Sequence, residues 1–422
     1  MHPSPVDGWL IRGNAASLPE RSEDLNMTTK RPPELNAYLD VHQRAALAAP
    51  AAQAHGLPGA CYGNDFYALE QRDLFPRTWA AIAFGADVPE PGDLYPTELA
   101  GHPLVVVRQN DASIRVFSNI CRHRGMTVVS AHCSKARQLT CPWHAWTYEL
   151  DGRLRATPRL GGERTHEAEG FEKSELGLKE VRCAVWHDLV LVNLDGQATA
   201  FETHIAPLEA LFEGIDLAGL RPGGQWEGIY PGNWKTAIEG AVEDYHLPMG
   251  HPQLCQGVKS RPVHIDFAGR CFASTRSVIE FFEPSVLAAS MAGFPQMRAV
   301  PEKAEHNYVV NLFPTAVMTV DRLGWFLGIW TPNGAALTRI RFRYYAPAEA
   351  FGTAELDSQR QRFMVGLAEV VMQDHDFVTG VQRNVLARDA AGIDTRFSPY
   401  WERAVLHFQR MVIDVMSDST GG

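Results

Sequence analysis

The chain has 422 residues, 45% hydrophobic and 21% charged, enough for two ordinary domains with substantial cores. A net charge of −10 argues against nucleic acid or an anionic membrane surface as a partner. The seven cysteines are irregularly spaced and show no disulfide framework, no apolar run is long enough to span a bilayer, and the start lacks the apolar core of an export signal, so a reducing, cytoplasmic setting is expected.

Residues 1–60 read as an N-terminal extension. Its first part is mixed and polar, and Met27 is either an alternative start or part of a plain flexible N-terminus. The Ala-rich segment from Tyr38 to His55 has helical composition and is stopped by Gly56-Leu57-Pro58-Gly59. From Asp65 to Trp79, the spacing of Phe66, Leu69, Leu74 and Phe75 predicts a helix leading into a first domain, residues 61–195. Short strand-like runs then follow: Leu104 to Arg108, Ile114 to Ser118, Gln138 to Thr140, Trp146 to Leu150, and two between Val181 and Leu194. Asp151-Gly152 is a hairpin signal. Short strands with frequent turns predict a small antiparallel β domain.

Two of these runs lead into Cys121-Arg122-His123 and Cys141-Pro142-Trp143-His144. Four N/S donors could close a structural zinc site. Alternatively, two thiolates could hold one iron and two imidazoles the other, as in a Rieske 2Fe-2S cluster. Zinc loops usually pair like with like, whereas each loop here carries one Cys and one His, which favours the cluster. The other cysteines, Cys61, Cys133, Cys183, Cys255 and Cys271, have no such partners in sequence.

Residues 196–422 form the expected second domain. Trp234 to His246 is helix-like, with Pro248 ending it. Strand-like stretches run over Cys271 to Phe282, Tyr308 to Val320, Trp325 to Trp330 and Thr338 to Tyr345. A long helical pattern from Thr353 to Ala387 aligns Leu356, Phe363, Leu367, Val370, Val371 and Phe377 on one face. His246 and His251 would diverge on an unbroken helix, but Pro248 and Gly250 let the chain turn His251 back. Two imidazoles and one carboxylate on one face leave iron(II) open positions, the facial-triad arrangement. Alone, such a pair reads first as ordinary core or surface histidines.

With these two motifs in this order, the chain resembles the α subunits of Rieske non-heme iron oxygenases over residues 62–390. The match rests on Asn119 to Gly125, Cys141 to Tyr148 and the Asn233-Trp234-Lys235 start of the histidine block. One departure is Ala145, where the family often has Gly. The resemblance implies an α+β chain, an antiparallel β Rieske domain followed by a helix-grip catalytic domain. It assigns Cys121, His123, Cys141 and His144 to the cluster, and His246 and His251 to a mononuclear Fe(II). Glu243 matches the carboxylate that bridges the cluster histidine of one subunit to an iron-bound histidine of its neighbour, and Asp244 beside it is one residue out of register. Register against Val381-Gln382 points to Asp374 as third iron ligand, with Asp376 the alternative; Gln373 stands where the family often has Glu.

The resemblance further implies O2 as co-substrate and electrons from NAD(P)H through a flavin/iron-sulfur reductase or ferredoxin. It implies a head-to-tail homotrimer, or a multiple of one. A small quaternary ammonium substrate is expected, with an aromatic acid next. Phe281, Phe282, Trp325, Phe326 and Trp330 are either core or an aromatic cage for such a cation. A Rieske electron carrier without oxygenase chemistry is the competing class, but a carrier needs no second domain.

Overall fold

The computed structural model describes residues 10–12, 34–252, 258–281 and 293–417. Met27, Cys255 and Phe282 lie outside the described residues, as does the side chain of Phe281. The chain forms two compact units, one of residues 75–201 and one combining the residues up to Leu74 with those from Glu202 onward.

The first unit is antiparallel β. Its larger sheet runs in the order Ala80–Phe84, Leu189–Asn193, Glu180–Trp186, Ile114–Ser118, His102–Arg108, Leu94–Leu99. The smaller sheet joins Leu139–Thr140, Thr147–Tyr148 and Leu154–Ala156. Val105, Val107, Phe117, Leu139, Trp146 and Tyr148 close around Cys121 and Cys141 in one core. The predicted hairpin turns at Gly152, with φ +85°; a Cβ there would meet the Phe117 ring, so both backbone and packing require glycine.

The second unit is built on an eight-stranded sheet. Leu220–Tyr230, Thr338–Pro347, Gly324–Pro332, Ala316–Asp321, His306–Leu312, Phe272–Phe281 and Val258–Ala268 follow one another antiparallel, and Leu10–Arg12 adds parallel to the first. The helices of the unit include Trp234–Ala241, Ala354–Ala390 and Arg403–Ser417. This is the α+β arrangement expected. The strand Leu220–Tyr230 and the helix Arg403–Ser417 escaped the sequence reading.

Several expectations move. The helix leading into the first domain is Asn64–Asp73, and it belongs to the second unit, so the boundary lies near residue 75 rather than 61. The reason is burial: Glu70 takes the Trp234 indole N–H at 3.0 Å and the Lys235 ammonium, with Glu70 and Lys235 both fully enclosed. The Ala-rich helix shrinks to Val41–Ala48, because a capping box of Asp40 and Gln43 starts it and Pro50 follows it closely. The stretch Tyr308 to Val320 is two strands with the turn Phe313–Thr315 between them. The long helix is capped by Thr353, and Phe377, predicted on its buried face, is 51% exposed.

Candidate metal centres

Two loops carry the first centre, and the backbone builds them alike. Cys121 N–H donates to Met126 O (2.8 Å) and Gly125 N–H to Cys121 O (3.0 Å). Cys141 N–H donates to Trp146 O (2.8 Å) and Ala145 N–H to Cys141 O (3.0 Å). The matching residues Gly125 and Ala145 both take positive φ, +78° and +56°. Each loop thus presents its Cys inward and its His two or three residues on.

Both cysteines are buried. Burial, reinforced by the neighbouring Cys121 thiol, pushes the Cys141 thiol up. Tyr148 Oη sits 3.3 Å from Cys121 Sγ and accepts the Arg122 N–H at 3.0 Å. The His123 and His144 rings meet edge to face with centroids 4.6 Å apart, and His123 stacks on Trp146. His144 Nδ1 is buried without a hydrogen-bond partner. A buried ring nitrogen left unpaired is costly, and beside two buried thiols it has the character of a ligand. The donor set fits a 2Fe-2S cluster with thiolates inside and imidazoles outside.

The second centre starts at Asn233. Its side chain caps helix Trp234–Ala241 through Lys235 N–H, and its own N–H donates to Gln382 Oε1 of the long helix at 2.7 Å. The helix ends at Ala241, not at His246 as the sequence suggested. Pro248 does not end it either; it lies in the first turn of a separate helical turn, Leu247–Gly250, capped by His246, a position where proline is tolerated.

This break folds His251 back. His246 Nε2 and His251 Nε2 are 3.1 Å apart, and Asp374 Oδ1 lies 3.6 and 3.1 Å from them. These three form a group able to hold a single metal ion. Ligands at right angles around a metal with bonds of about 2.1 Å sit roughly 3 Å apart, so the triangle fits one ion bound from one side, with positions left open. Asp376 does not join it: its side chain is 94% exposed and pairs with His375. Asp244 is buried but stands outside the group.

Both imidazoles are oriented from behind. Glu243 Oε1 is 2.5 Å from His246 Nδ1, while its other oxygen accepts the backbone N–H groups of Tyr245 and His246. Burial alone would lower the His246 imidazole, but the Glu243 hydrogen bond and charge, with Asp374, hold it above the usual histidine range. Gln373 Oε1 is 2.8 Å from His251 Nδ1. Such partners fix the ring tautomer, leaving Nε2 free as donor to a metal. Sequence reasoning noted Gln373 only as a departure from the family. The signal was its place beside Asp374, where one helical step turns it to the other histidine.

Among the described residues of the predicted aromatic set, Trp325, Phe326 and Trp330, the side chains do not all share one face. Trp325 and Phe326 are adjacent on a strand and face opposite sides. Phe326 packs on Phe342 with centroids 4.3 Å apart.

Comparison with known proteins agrees with this layout. Residues 78–181 match the Rieske 2Fe-2S domain model, and residues 217–418 match the ring-hydroxylating α subunit catalytic domain model. The glycine betaine monooxygenase oxygenase subunit of Chromohalobacter salexigens is 30% identical over 236 residues, 52% of each chain. The biphenyl dioxygenase α subunit of Paraburkholderia xenovorans is 35% identical over 191 residues, 43% of this chain and 42% of that one. The chain thus spans about half the length of the curated relatives it matches. A quaternary ammonium Rieske monooxygenase solved with L-carnitine shares the fold at TM-score 0.70 and 20% identity, covering 88% of this chain and 97% of that one. Naphthalene 1,2-dioxygenase from Rhodococcus sp. does so at 0.71 and 18%, covering 89% and 97%.

Fold and sites together define a two-centre protein, with a Rieske domain ahead of a ring-hydroxylating-type catalytic domain. The chain belongs to the Rieske non-heme iron oxygenase α subunits, whose cofactors are a 2Fe-2S cluster and a mononuclear iron. No described helix is long and apolar enough to cross a membrane.

Proposed function

We propose that the chain is the terminal component of a cytoplasmic multicomponent oxygenase. With O2, and electrons from NAD(P)H delivered by a separate reductase or ferredoxin, it hydroxylates or oxidatively demethylates a small quaternary ammonium compound. The observation that carries this reading is the convergence of His246 Nε2, His251 Nε2 and Asp374 Oδ1 while both Nδ1 atoms are held from behind. An electron carrier has no use for that second site. Cys121, His123, Cys141 and His144 would hold the cluster, and His246, His251 and Asp374 the iron. When bound, the cluster supplies electrons one at a time and the iron supplies the O2 chemistry.

The protein's own residues set the geometry. Glu243 and Gln373 hold the Nδ1 protons of His246 and His251, so both rings keep their free nitrogens turned to one point. The rims of both centres carry exposed apolar side chains: Trp143, Met126 and Ile120 at the first, Met249 and Phe377 at the second. Surfaces of this kind suit a head-to-tail homotrimer, in which one copy's cluster loops cover the next copy's iron site. Support for the quaternary ammonium comes from Glu243, which also occurs in carnitine- and betaine-type members, and from the glycine betaine monooxygenase relative. Similarity to a biphenyl dioxygenase subunit favours ring hydroxylation as the second reading, with an aromatic acid as the substrate proposed for it.

The test is O2 uptake by purified protein with a surrogate reductase across betaines and aromatic acids, with metal analysis. Substrate-dependent uptake and about three irons per chain are expected. About two irons and no uptake would make it a carrier.

A further inference from the structure

One face of the large sheet turns toward the second centre. Thr275, in strand Phe272–Phe281, donates its hydroxyl to Val242 O at 3.0 Å, immediately before Glu243. Side chains two residues apart on a strand share a face, so Ser277 lies on the same side as Thr275. Ser277 stands directly opposite Asn307 in the neighbouring strand. Ser277 is 0% exposed and Asn307 8%.

Ser277 Oγ and Asn307 Oδ1 are both buried without a hydrogen-bond partner. Asn311, four residues along from Asn307, also leaves its Oδ1 unpaired, but its amide N–H groups donate to Ala316 O (3.0 Å) and Pro314 O (3.4 Å), which gives it a role in the turn. Buried polar atoms are almost always paired, and each exception calls for a missing partner. Two exceptions side by side on the face that reaches the iron-site segment call for the same one. Across the sheet from Thr275, cross-strand neighbours Val309, Thr319 and Phe326 continue this face with a mostly apolar row.

We propose that Ser277 and Asn307 anchor the substrate. They hold a hydroxyl of the substrate, which accepts from the Ser277 Oγ–H and donates to Asn307 Oδ1, while the row ending in Phe326 receives its apolar or cationic body. The proposal rests on the oxygenase reading above and narrows it: a bare hydrocarbon would leave both atoms unpaired.

The test is anaerobic calorimetric binding to the intact holoprotein with two matched probe series. One is glycine betaine, choline and tetramethylammonium; the other is benzoate, benzyl alcohol and toluene. Wild type should bind choline more tightly than tetramethylammonium, or benzyl alcohol more tightly than toluene, by at least about tenfold, about 1.4 kcal/mol. Glycine betaine and benzoate, whose carboxylates accept from Ser277 but give nothing to Asn307 Oδ1, should gain less, and the series that shows the preference tells the two chemistries apart. Ser277→Ala, which removes a single atom, and Asn307→Leu should each reduce that preference to threefold or less. The ligand-free melting temperature should stay level or rise, because an unpaired buried atom has been removed. A wild type without the preference, or variants that keep it, overturn the anchor. A lowered melting temperature with all probes weakened alike also overturns it, since that marks a structural role. Substrate-dependent O2 uptake by a wild type whose preference survives in the variants sinks the anchor and leaves the oxygenase standing. A preference lost in the variants, with no uptake by wild type, upholds the anchor and sinks the oxygenase.

Discussion

In the first centre all four donors lie between Cys121 and His144, on two loops that repeat one pair of backbone hydrogen bonds. In the second, 122 residues separate His251 from the Gln373 that orients it, and the metal group spans two helical segments. The first is a local object resting on a small antiparallel core. The second exists only when distant segments are pinned, by Asn233 to Gln382 and by Glu70 to Trp234 and Lys235. Damage to packing in the second unit should therefore cost the iron site and spare the cluster.

The largest expected effect breaks the comparison at the chemistry. His246→Ala should lose the mononuclear iron and all turnover, while the brown colour and the reduced-state EPR signal of the cluster persist. Asp374→Ala should match it, and Asp376→Ala should leave iron content and rate near wild type. Metal analysis with visible and EPR spectra checks all three; iron lost from Asp376→Ala but kept in Asp374→Ala would reverse the ligand assignment. Cys141→Ser is the mirror image, bleaching the cluster and sparing the second site.

Next comes packing. Glu70→Ala leaves the Lys235 ammonium buried without its partner, which costs about 3–5 kcal/mol. The second unit should melt well below wild type by calorimetry, while the cluster's visible band, reporting the first unit, disappears at the wild-type temperature. Simultaneous loss of both signals would show that the two units unfold as one.

The same contrast explains what was legible in advance. Cys121, His123, Cys141 and His144 announce themselves because each loop is a short, self-contained pattern. The strands read beside them, such as Ile114–Ser118 and Leu139–Thr140, lie within a residue or two of their expected places, whereas Ala80–Phe84, Leu94–Leu99 and Leu154–Ala156 went unread. The second site was legible only where spacing is local, at His246 and His251. The helix was carried too far, to His246, because propensity does not reveal that the chain must break before the histidine to aim its ring. The role of Gln373 depends on register between segments far apart in the chain, and Glu70 in helix Asn64–Asp73 carried no mark of its distant partner Lys235. Strand Leu220–Tyr230 begins Leu-Arg-Pro-Gly-Gly, which reads as a turn. It is a strand nonetheless, because Thr338–Pro347 pairs with it along its length, with an irregularity at Pro222 to Gly224.

A smaller effect probes the link between the centres. Glu243→Gln keeps the size but gives up the charge that strengthens the bond to His246 Nδ1. Both metals should stay bound and dithionite should still reduce the cluster. Groups that orient a metal ligand are typically worth 10–100-fold when changed. Cluster reoxidation by O2 in single turnover with substrate should slow by roughly that factor, and a rate equal to wild type would remove Glu243 from the electron path.

The smallest effect sharpens the comparison inside the first centre. Its loops are alike in hydrogen bonding but not in residue, since Gly125 and Ala145 occupy the same positive-φ position. A Cβ makes that conformation unfavourable by roughly 1–2 kcal/mol, and glycine returns part of this through the entropy it loses on folding. Ala145→Gly should therefore raise the stability of the first unit slightly, by about 0.5–1 kcal/mol, since an alanine at φ > 0 is the case where the usual ranking of the two residues reverses. The EPR signal should not change, because the donors and their hydrogen bonds are untouched. The thermal midpoint of cluster bleaching reads the difference. A lower midpoint would mean that the second loop needs the stiffness of its alanine more than it suffers from the strain, and that the two loops are alike in hydrogen bonding but not in energetics.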